Sequence, residues 1–396
     1  MATRSRLPSR RSAPRRRIAC AWVAAALVLS AGAASANAAP GAAAGLLFDE
    51  PADLTVVLEF PVRRLVRDKE AREELAGTLH LHGADGRKLA LPVKVRSRGN
   101  TRLAMCDFPP LRLEFDPATT AGTPFAGQKR LKLVTQCRAH RRYADYVRLE
   151  QRIYRAYALL TPVSFRTRGL SVTYVDPTER MTPVSGPAFL IEDVDDLAKR
   201  VGLRERSVPF LGPADVDPAQ VALLELFQFM IGNTDWSVHL PSDGDEECCH
   251  NARVVGPKGG DGKYTLVPYD FDQAGIIDAE YAAVSPGVGV RRVRQRMYRG
   301  LCSRNGQVPA AIKRFVALRA PMEESFRGGG IGDWASRRAV GYVEGFYEII
   351  QDPARVDEKI YAYCRPDPEM TSAVTGAGPG PGDVASAADS SFGRLP

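Results

Sequence analysis

The chain has 396 residues, a formal net charge of +8, 44% hydrophobic residues and 25% charged residues. This composition excludes a collagen-like chain and global disorder. The basic charge is concentrated at the start: residues 1–36 hold seven arginines and no acid, so the remaining 360 residues carry 47 Lys+Arg against 46 Asp+Glu. This near-neutral balance excludes a general polyanion-binding protein, and we predict no nucleic-acid partner.

The first 36 residues predict an export signal. An arginine-rich start is followed by an apolar run over 18–34, and Ala34-Ser35-Ala36 fits a cleavage site of the A-x-A type. The run is short and rich in alanine, which favours a cleaved signal peptide over a membrane anchor. We therefore predict a periplasmic or secreted protein with no stable membrane span after signal cleavage. The alternative is a protein that stays signal-anchored in the inner membrane.

Six cysteines remain after the predicted cleavage: Cys106, Cys137, Cys248, Cys249, Cys302 and Cys364. An even number of cysteines in an oxidising compartment predicts up to three disulfides, whose pairing stays open at this stage. Cys106 and Cys137 flank one strand region and are candidates to pair with each other. The adjacent Cys248 and Cys249, with His250, could instead bind a metal. Because no second C-x-x-C or H-x-x-H set accompanies them, disulfides are favoured.

Strand patterns dominate the first half of the chain. Alternating or continuously apolar, β-branched segments cover 53–60, 78–82, 89–96, 110–115, 130–135, 169–175 and 187–192. One amphipathic helix is predicted over 143–160, because Tyr146, Leu149 and Ile153 recur at helical spacing and Pro162 follows the last turn. The first half is therefore β-rich with one main helix.

Helix patterns dominate the second half. An apolar helix is predicted over 218–231, with Pro218 in a favourable first-turn position, and a strand pair at 252–256 and 263–268 follows. Helical patterns return at 309–326 and 334–350. From 365 onward Pro, Gly, Ala and Ser prevail, which predicts a disordered tail. The chain is thus predicted to be an α+β protein.

Two polar clusters interrupt apolar segments of the second half. The first is GNTDW (232–236), directly after the apolar helix, with His250-Asn251 downstream; the second is PYDFD (268–272), directly after a strand. Carboxylate and amide oxygens in such positions can converge in one cleft, where they would hold Mg²⁺ and the phosphates of a nucleotide. Each cluster alone would favour turn chemistry. The two together, in this order, favour a functional site.

The order GNTD, HN, PYDFD resembles the C-lobe of the spore-coat CotH kinase-like family and, more distantly, HipA-type kinases. RGNTR (98–102) and FLIEDVDD (189–196) are further anchors, so the similar region runs from about Arg98 to Cys302. The resemblance implies an exported, ATP-dependent phosphotransferase that uses Mg²⁺ or Mn²⁺ and acts on an unknown protein or envelope substrate.

The fold implied by this resemblance is a two-lobed protein-kinase-like fold. Its β-rich N-lobe, with one main helix, would span 37–205 and cover the nucleotide. Its mostly helical C-lobe would span 206–364 and carry the catalytic loop and the metal-binding aspartate. The signal peptide (1–36) would precede the two lobes, and the disordered tail (365–396) would follow them.

The resemblance implies roles for four residues of the second half. Asp235 matches the catalytic-loop aspartate that orients or deprotonates the acceptor. Asn251 matches the metal-binding asparagine, and Asp270 matches the aspartate that chelates Mg²⁺. Asp272 is a second candidate metal ligand, because the segment reads DFD where a typical kinase has DFG.

Five residues of the first half are implied on the nucleotide side. Lys132 resembles the lysine that holds the α- and β-phosphates, and Glu150 is placed like its ion-pair partner. Glu192 would lie in the hinge, where it would either face the adenine or pair locally. Arg98 and Arg102 could steady phosphates from the RGNTR turn. The alternatives are a solvated hairpin tip for these arginines and a neighbouring cation in place of Lys132.

Departures from the family pattern leave other functions open. Asp235 and Asn251 are 16 positions apart, whereas kinases space this pair by about five, and no G-x-G-x-x-G loop is recognisable. The acidic insertion 240–249 lies between them and could form a lid. His239 or His250 could replace the basic histidine of the HipA pattern.

Two further functions are therefore kept as hypotheses. The first is a catalytically inactive, pseudokinase-like binding or scaffold protein of the cell envelope. The second is a disulfide-stapled structural protein of the envelope. Two basic runs, 129–155 and 291–304, either form solvated faces or bind an anionic substrate beside the cleft.

Overall fold

A computed structural model of the chain describes residues 46–82, 86–178, 180–240, 247–259 and 262–367. The predicted signal peptide and nearly all of the predicted tail lie outside these ranges. So do residues 241–246 of the acidic insertion, where a lid was predicted.

Seven strands of the first half belong to one sheet: β1 (Leu54–Glu59), β2 (Leu75–His82), β3 (Lys88–Ser97), β4 (Leu111–Glu114), β5 (Arg130–Val134), β6 (Thr167–Val175) and β7 (Val184–Ile191). Neighbours follow the order β1-β2-β3-β4-β5-β7-β6, and the sheet closes into a barrel. The closing pair, β1 with β6, is parallel and runs from Leu54 opposite Leu170 to Glu59 opposite Val175. The other neighbouring pairs are antiparallel.

The barrel is closed around an apolar core, because apolar and polar side chains alternate along its strands. In β3, Leu91, Val93 and Val95 are buried, whereas Lys94 and Arg96 face outwards. The inward side chains of all seven strands form one apolar cluster. In a barrel of this size, side chains fill the interior. The functional chemistry of the barrel therefore lies on its outer face.

The closed seven-stranded barrel shows that the predicted two-lobed protein-kinase-like fold, with a β-rich N-lobe and a mostly helical C-lobe, is wrong. The strands were predicted near their observed positions, but their closure was not. Closure depends on the pairing of β1 with β6, whose partners are more than a hundred residues apart along the chain. Local periodicity reports which face of a strand is buried and carries no information on a partner so distant. The predicted lobe boundary near 205 stays a prediction.

The helices of the described ranges are α1 (Leu46–Asp49), α2 (Val62–Arg67), α3 (Thr101–Met105), α4 (Pro117–Thr120), α5 (Arg141–Leu160), α6 (Val194–Arg200), α7 (Pro218–Ile231), α8 (Val308–Ala317), α9 (Arg319–Glu324), α10 (Asp333–Ile350) and α11 (Pro353–Lys359). The helices predicted at 143–160, 218–231 and 334–350 are confirmed to within two residues. The pattern at 309–326 forms two helices, which meet at Leu318. Among the described helices, none combines the length and the hydrophobicity needed to cross a bilayer.

A small second sheet completes the second half. Its strands are β8 (Arg204–Glu205), β9 (Ala252–Gly256) and β10 (Thr265–Pro268), with β9 in the middle and both pairs antiparallel. The predicted strand pair is therefore confirmed.

Helix α5 joins the barrel to the second half. On α5, Tyr154 packs against Phe189 of β7 and against Phe271, with ring centroids 5.7 and 4.8 Å away. Tyr157, one turn later, packs against Phe227 of α7 at 4.8 Å. Aromatic pairs at these distances add to the stabilisation from buried area. Because α5 is packed on both sides, its side chains are held in fixed positions at the junction.

Helix α7 begins and ends where its sequence predicts. The Asp217 side chain accepts hydrogen bonds from the N–H groups of Ala219 and Gln220, which caps the helix in front of Pro218. Gly232 ends the helix with a left-handed backbone, φ +66°. A Cβ at this position would lie 2.0 Å from the Tyr342 hydroxyl. Both the left-handed backbone and the close approach of Tyr342 therefore require glycine at this position. The helix ends here, and the 233–236 loop begins.

Three pairs of cysteines lie at disulfide distance: Cys106 with Cys137, Cys248 with Cys249, and Cys302 with Cys364. The first pair is consistent with the pairing considered from the sequence. It connects the end of α3 to the segment between β5 and α5. The second pair directly precedes His250. The first and second pairs therefore lie next to segments that carry predicted site residues.

Candidate functional site

A cleft of about 290 Å³ lies where the barrel meets the second half of the chain. The outer faces of β3, β4 and β5 supply one wall, and the segments around the start of β9 and after α7 and β10 supply the other. Seven of the nine predicted site residues line it: Arg98, Arg102, Lys132, Asp235, Asn251, Asp270 and Asp272. The other two, Glu150 and Glu192, lie nearby and are described below.

Three cations stand side by side across the barrel wall of the cleft. Arg96 of β3 lies directly opposite Arg112 of β4, and Arg112 lies directly opposite Lys132 of β5. All three side chains line the cleft and are half-buried. Like charges directly opposite each other on neighbouring strands destabilise a sheet. This cation row therefore costs stability unless an anion binds between the side chains.

The next outward-facing row on the same three strands provides a contrast. There Lys94 lies opposite Glu114, and Glu114 lies opposite Arg130, so the signs alternate. Opposite charges in such positions are favourable, and this row needs no ligand. The strands therefore carry an ordinary surface row beside the unbalanced cation row of the cleft.

Burial and neighbouring cations lower the basicity of this row. Burial, together with the charges of Arg98 and Arg253, lowers the pKa of Lys132 to about 7. Burial and the charge of Arg96 also lower the pKa of Arg112. The Lys132 ammonium lies 4.5 Å from the centre of the Tyr269 ring. A bound anion would raise the pKa of Lys132, because it would stabilise the charged form.

Replacing Arg112 with methionine is expected to stabilise the ligand-free protein by about 0.5–1 kcal/mol, because it removes the central like charge of the row. The same change is expected to weaken the binding of pyrophosphate about tenfold. Thermal unfolding and titration calorimetry at pH 7 measure the two effects. The matched control is Lys94→Met, which removes an ion pair with Glu74 and the cation opposite Glu114 and should not raise the Tm. Equal changes in Tm and in pyrophosphate affinity in both variants would contradict the interpretation that the cation row is an anion site.

A buried guanidinium links the two halves of the molecule at the floor of the cleft. Arg102 of α3 donates to Glu150 of α5 with N···O distances of 3.1 and 3.4 Å. It also contacts Asp270 at 3.2 Å and Asp272 at 3.1 Å. The side chains of Arg102 and Glu150 are only 7% and 2% exposed. The ion-pair partner of Glu150 is therefore Arg102, and not Lys132 as the family pattern implied.

The acids around Arg102 titrate differently. Burial raises the pKa of Glu150 and of Asp272, and the charge of Arg102 opposes this rise. Burial also acts on Asp270, but the charges of Arg102, Arg98 and Lys132 outweigh it and lower the pKa of Asp270. Asp270 is 34% exposed, whereas Asp272 is buried. Asp270 is therefore the ionised acid that a cation in the cleft can reach.

Asp235 is held by hydrogen bonds from three sides. Its backbone N–H donates to the side chain of Asn233 at 3.0 Å, which fixes the loop after α7. Its carboxylate lies 2.8 Å from Nε2 of His250 and accepts from Nδ2 of Asn251 at 3.0 Å. The contact with Asp235 raises the pKa of His250, against the opposing effect of burial. The amide nitrogen of Asn251 is thus directed to Asp235, which leaves the amide oxygen for a cation.

Backbone strain is concentrated at this cleft. In the described ranges, four residues other than glycine adopt a positive φ: Arg72, Asn251, Asp270 and Asp278. Three of the four line the cleft, all except Asp278. Left-handed backbone costs free energy for residues with a Cβ and persists where the surrounding structure enforces it. The clustering supports a functional role for the cleft.

An adjoining cavity of about 210 Å³ shares Arg112, Lys132 and Arg253 with the cleft. Glu192 lines this second cavity together with residues of β5, β7 and the start of α6. Its carboxylate accepts from Arg200 at 2.8 Å and from the backbone of Arg166 at 3.0 Å. Glu192 therefore pairs locally, which is one of its two predicted roles, while it still forms part of a cavity wall.

The basic run 291–304 supports the site from behind. Arg296 donates to the backbone oxygen of Met230 at the end of α7, and Arg299 donates to those of Thr234 and Trp236. Cations near the C-terminal carbonyls of a helix stabilise it. These arginines hold the loop that carries Asp235. This role differs from the two predicted for the run, a solvated face and a site for an anionic substrate.

Two other basic groups of this region are buried away from the cleft. Arg304 pairs with Glu225, and both side chains are almost fully buried. The Nδ1 atom of His239 lies 2.6 Å from the Leu211 oxygen, and Nε2 lies 3.2 Å from Arg304. Of the two histidines considered from the sequence, His250 is therefore the one at the cleft.

Four arginines of the cleft were missed by sequence reasoning: Arg72, Arg96, Arg112 and Arg253. The outward position of Arg96 and Arg112 follows from strand alternation, which the sequence does show. Their alignment with Lys132 follows only from strand register, which the sequence does not show. A signal was present in the cations that recur on consecutive predicted strands.

The donor set fits a Mg²⁺ ion that arrives with a nucleotide. Asp270, Asp272 and the amide oxygen of Asn251 are hard oxygen donors on one cleft wall. Mg²⁺ is commonly held by one or two carboxylates together with substrate phosphates. Across the described residues, no group of three or more His, Cys, Asp or Glu side chains is arranged to hold a metal ion. A Mg²⁺ ion in this cleft would therefore need further oxygen ligands from a bound molecule.

Comparison of the chain with protein-family models, with curated proteins and with solved structures gave no match. The resemblance to CotH-type kinases stays a prediction from the motifs.

Proposed function

We propose that this chain is an exported phosphotransferase that binds a nucleoside triphosphate with Mg²⁺ or Mn²⁺ in the cleft. It would transfer the terminal phosphoryl group to a hydroxyl of a protein or envelope component. The observation that carries the proposal is the cation row Arg96, Arg112 and Lys132, which faces the acids Asp235 and Asp270 across one cleft. Phosphoryl transfer needs mainly positioning and charge neutralisation, and this arrangement offers both.

The residues of the cleft would have different roles, which follow from their chemistry. The cation row neutralises the phosphates, and the adjoining cavity beside Glu192 offers room for the nucleoside. A bound Mg²⁺ would neutralise charge on the phosphate oxygens, and Asp270, Asp272 and Asn251 would hold it. Arg102 fixes the two aspartates relative to α5.

Asp235 is the group that handles the proton of the acceptor. In the transfer step the acceptor oxygen forms the new P–O bond, and its proton passes to the Asp235 carboxylate. The bond to the leaving phosphate breaks, and a nucleoside diphosphate departs. His250 and Asn251 keep the carboxylate in one orientation, so that little reorganisation is needed during the reaction.

A second function is favoured by a separate observation. Arg102 already contacts both Asp270 and Asp272, so the charge of these acids is compensated without a metal ion. An envelope binding protein that holds a phosphate-bearing ligand without transferring it would have the same cation row. The two functions differ in whether metal is required and whether the ligand is consumed.

Titration with ATP, with and without Mg²⁺, tests the two functions. A ligand at a hundred times its Kd is expected to raise the free energy of unfolding by about 2.7 kcal/mol. For a phosphotransferase, this stabilisation depends on Mg²⁺ in the wild type, and Asp270→Asn weakens the dependence. Stabilisation that is equal with and without Mg²⁺, and no ATP consumption, supports the binding protein. No stabilisation by ATP or inorganic triphosphate in any condition contradicts both.

A further inference from the structure

A larger cavity, of about 910 Å³, lies elsewhere on the barrel and shares no lining residue with the cleft or with the cavity beside Glu192. It is bounded by α2, by the segment 136–141 that follows β5, and by the segment that connects β6 to β7. Cavities of 300–1,000 Å³ are typical of small-molecule sites. The functions considered so far make no use of this one.

Part of the cavity wall is apolar and runs from the buried Val62 to the exposed Val184. Val62 and Val66 of α2, together with Phe108, Met181 and Val184, line it. The Phe108 ring packs against the Tyr174 ring, with centroids 4.6 Å apart. Val184 is 43% exposed, unlike the inward side chains of the barrel. A concave apolar surface of this kind marks a binding site for an apolar group.

The rest of the wall is strongly basic. It carries six arginines, three on α2 and three on the facing segments: Arg63, Arg64, Arg67, Arg138, Arg141 and Arg180. Among the residues that the structure describes, two acids line the same cavity, Asp107 and Asp176. Asp176 accepts hydrogen bonds from the backbone of Arg63 and from Thr178, so its carboxylate is already engaged.

Three of the six arginines have no ion-pair partner among the residues that the structure describes. Among the described residues, no carboxylate lies within 4.0 Å of the guanidinium groups of Arg63, Arg141 and Arg180. In contrast, Arg64 and Arg67 pair with Glu73 and Asp68. The cavity therefore combines an apolar wall with unpaired cations at its edge.

We propose that this cavity binds a single-chain amphiphile with an anionic headgroup, its chain on the Val62–Val184 side and its headgroup on Arg63, Arg141 and Arg180. The apolar wall excludes a purely polar anion such as free phosphate as the best occupant, because that surface would stay exposed to water. These arginines exclude an uncharged lipid as the best occupant, because it would leave their charges without an anionic partner. A long-chain carboxylate and a lysophospholipid phosphate share the required chemistry.

Titration calorimetry of the wild-type protein with four ligands, each below its micelle concentration, tests the proposal. The ligands are oleate, oleoyl-lysophosphatidate, monoolein and octanoate. The two anionic oleoyl ligands are expected to bind at least about tenfold more tightly than uncharged monoolein and short octanoate. The better of the two identifies the headgroup. Equal binding of monoolein, or no binding of either anionic oleoyl ligand, would overturn the proposal.

Two matched pairs of variants locate the site. Val184→Asp places a negative charge on the apolar wall and is expected to weaken oleate binding about tenfold. Val316→Asp is its control, because Val316 is also exposed, at 40%, but lies on α8 outside the cavity. Arg63→Gln is expected to weaken binding severalfold, whereas Arg337→Gln on α10 should not. Circular dichroism checks that all four fold, and losses that are equal in variants and controls would refute the location.

Discussion

Replacing Arg102 with methionine is expected to lower the free energy of unfolding by about 3–5 kcal/mol, because it leaves buried carboxylates without their counter-charge. Glu150 is 2% exposed and depends on Arg102 for its ion pair. Asp272, also buried, loses the same partner. Urea unfolding followed by circular dichroism measures the loss. The control is Arg327→Met, which removes an exposed pair with Glu324 and should cost less than about 0.5 kcal/mol.

The pH dependence of this loss identifies its cause. Burial raises the pKa of Glu150 in the folded state above its value in the unfolded chain. The protonated group is therefore compatible with folding below about pH 4.3, the ordinary pKa of glutamate, and stability is lost as the pH rises above it. Because Arg102 lowers the folded-state pKa of both buried acids, its removal should widen the gap to the wild type only as the pH rises above about 6 for Asp272 and above about 8 for Glu150. A loss that is independent of pH would mean lost packing, and not an unpaired charge.

A second substitution should restore part of the stability. Glu150→Gln in the Arg102→Met background replaces the unpaired charge with a neutral amide and is expected to recover about 1–3 kcal/mol. In the wild type, Glu150→Gln alone should destabilise, because it breaks the ion pair. This reversal of sign is the signature of a coupled pair. Additive effects of the two changes would contradict the network.

Replacing Asp235 with asparagine is expected to lower the rate of phosphoryl transfer by about 10²–10⁴-fold, because the amide cannot accept the acceptor proton. The side chain keeps its size and can still bond to His250 and Asn251, so nucleotide affinity should stay within about twofold of the wild type. Transfer is followed as ATP consumption, with water as the acceptor when no other is supplied.

The controls for Asp235 separate catalysis from positioning. His250→Gln keeps a hydrogen-bonding group beside Asp235 and is expected to lower the rate by about tenfold. Ser285→Ala removes only a contact of 3.5 Å and should leave the rate nearly unchanged. If Asp235→Asn kept the wild-type rate, Asp235 would not be the group that accepts the proton. If it abolished ATP binding, its role would be structural.

Several of the larger elements were predictable from the sequence, although the fold was not. The β3 segment alternates between Val93 or Val95 inside and Lys94 or Arg96 outside, and its bounds were predicted within a residue or two. Helix α7 carries its own boundary signals in Asp217, Pro218 and Gly232. Such signals act over a few residues along the chain, which is why the sequence displays them directly.

Closure of the barrel was not predictable in this way. It depends on contacts between β1 and β6, which are separated in the chain by four strands and α5, and no local pattern encodes them. The resemblance to kinases implied a two-lobed fold and thereby led away from the observed closed barrel.

The candidate site, like the fold, was predictable from the sequence only in part. Its acidic members, Asp235, Asp270 and Asp272, interrupt apolar segments and could be recognised from the sequence alone. The cation row and the pairing of Arg102 with Glu150 could not, because the charged residues of the first half all look alike in sequence. Register across three strands decides that Arg96, Arg112 and Lys132 stand together, while Lys94, Glu114 and Arg130 cancel one another.

The sequence by itself determined the barrel strands and the longer helices, the concentration of basic charge at the start of the chain and the acidic residues of the cleft. These properties depend on periodicity, composition and short motifs. The tertiary structure alone decided that the sheet closes, which arginines face the acids, and that a second basic cavity exists beside α2. Those properties depend on contacts between distant residues, whose free energies are set by shared burial and by the distances between charges in space.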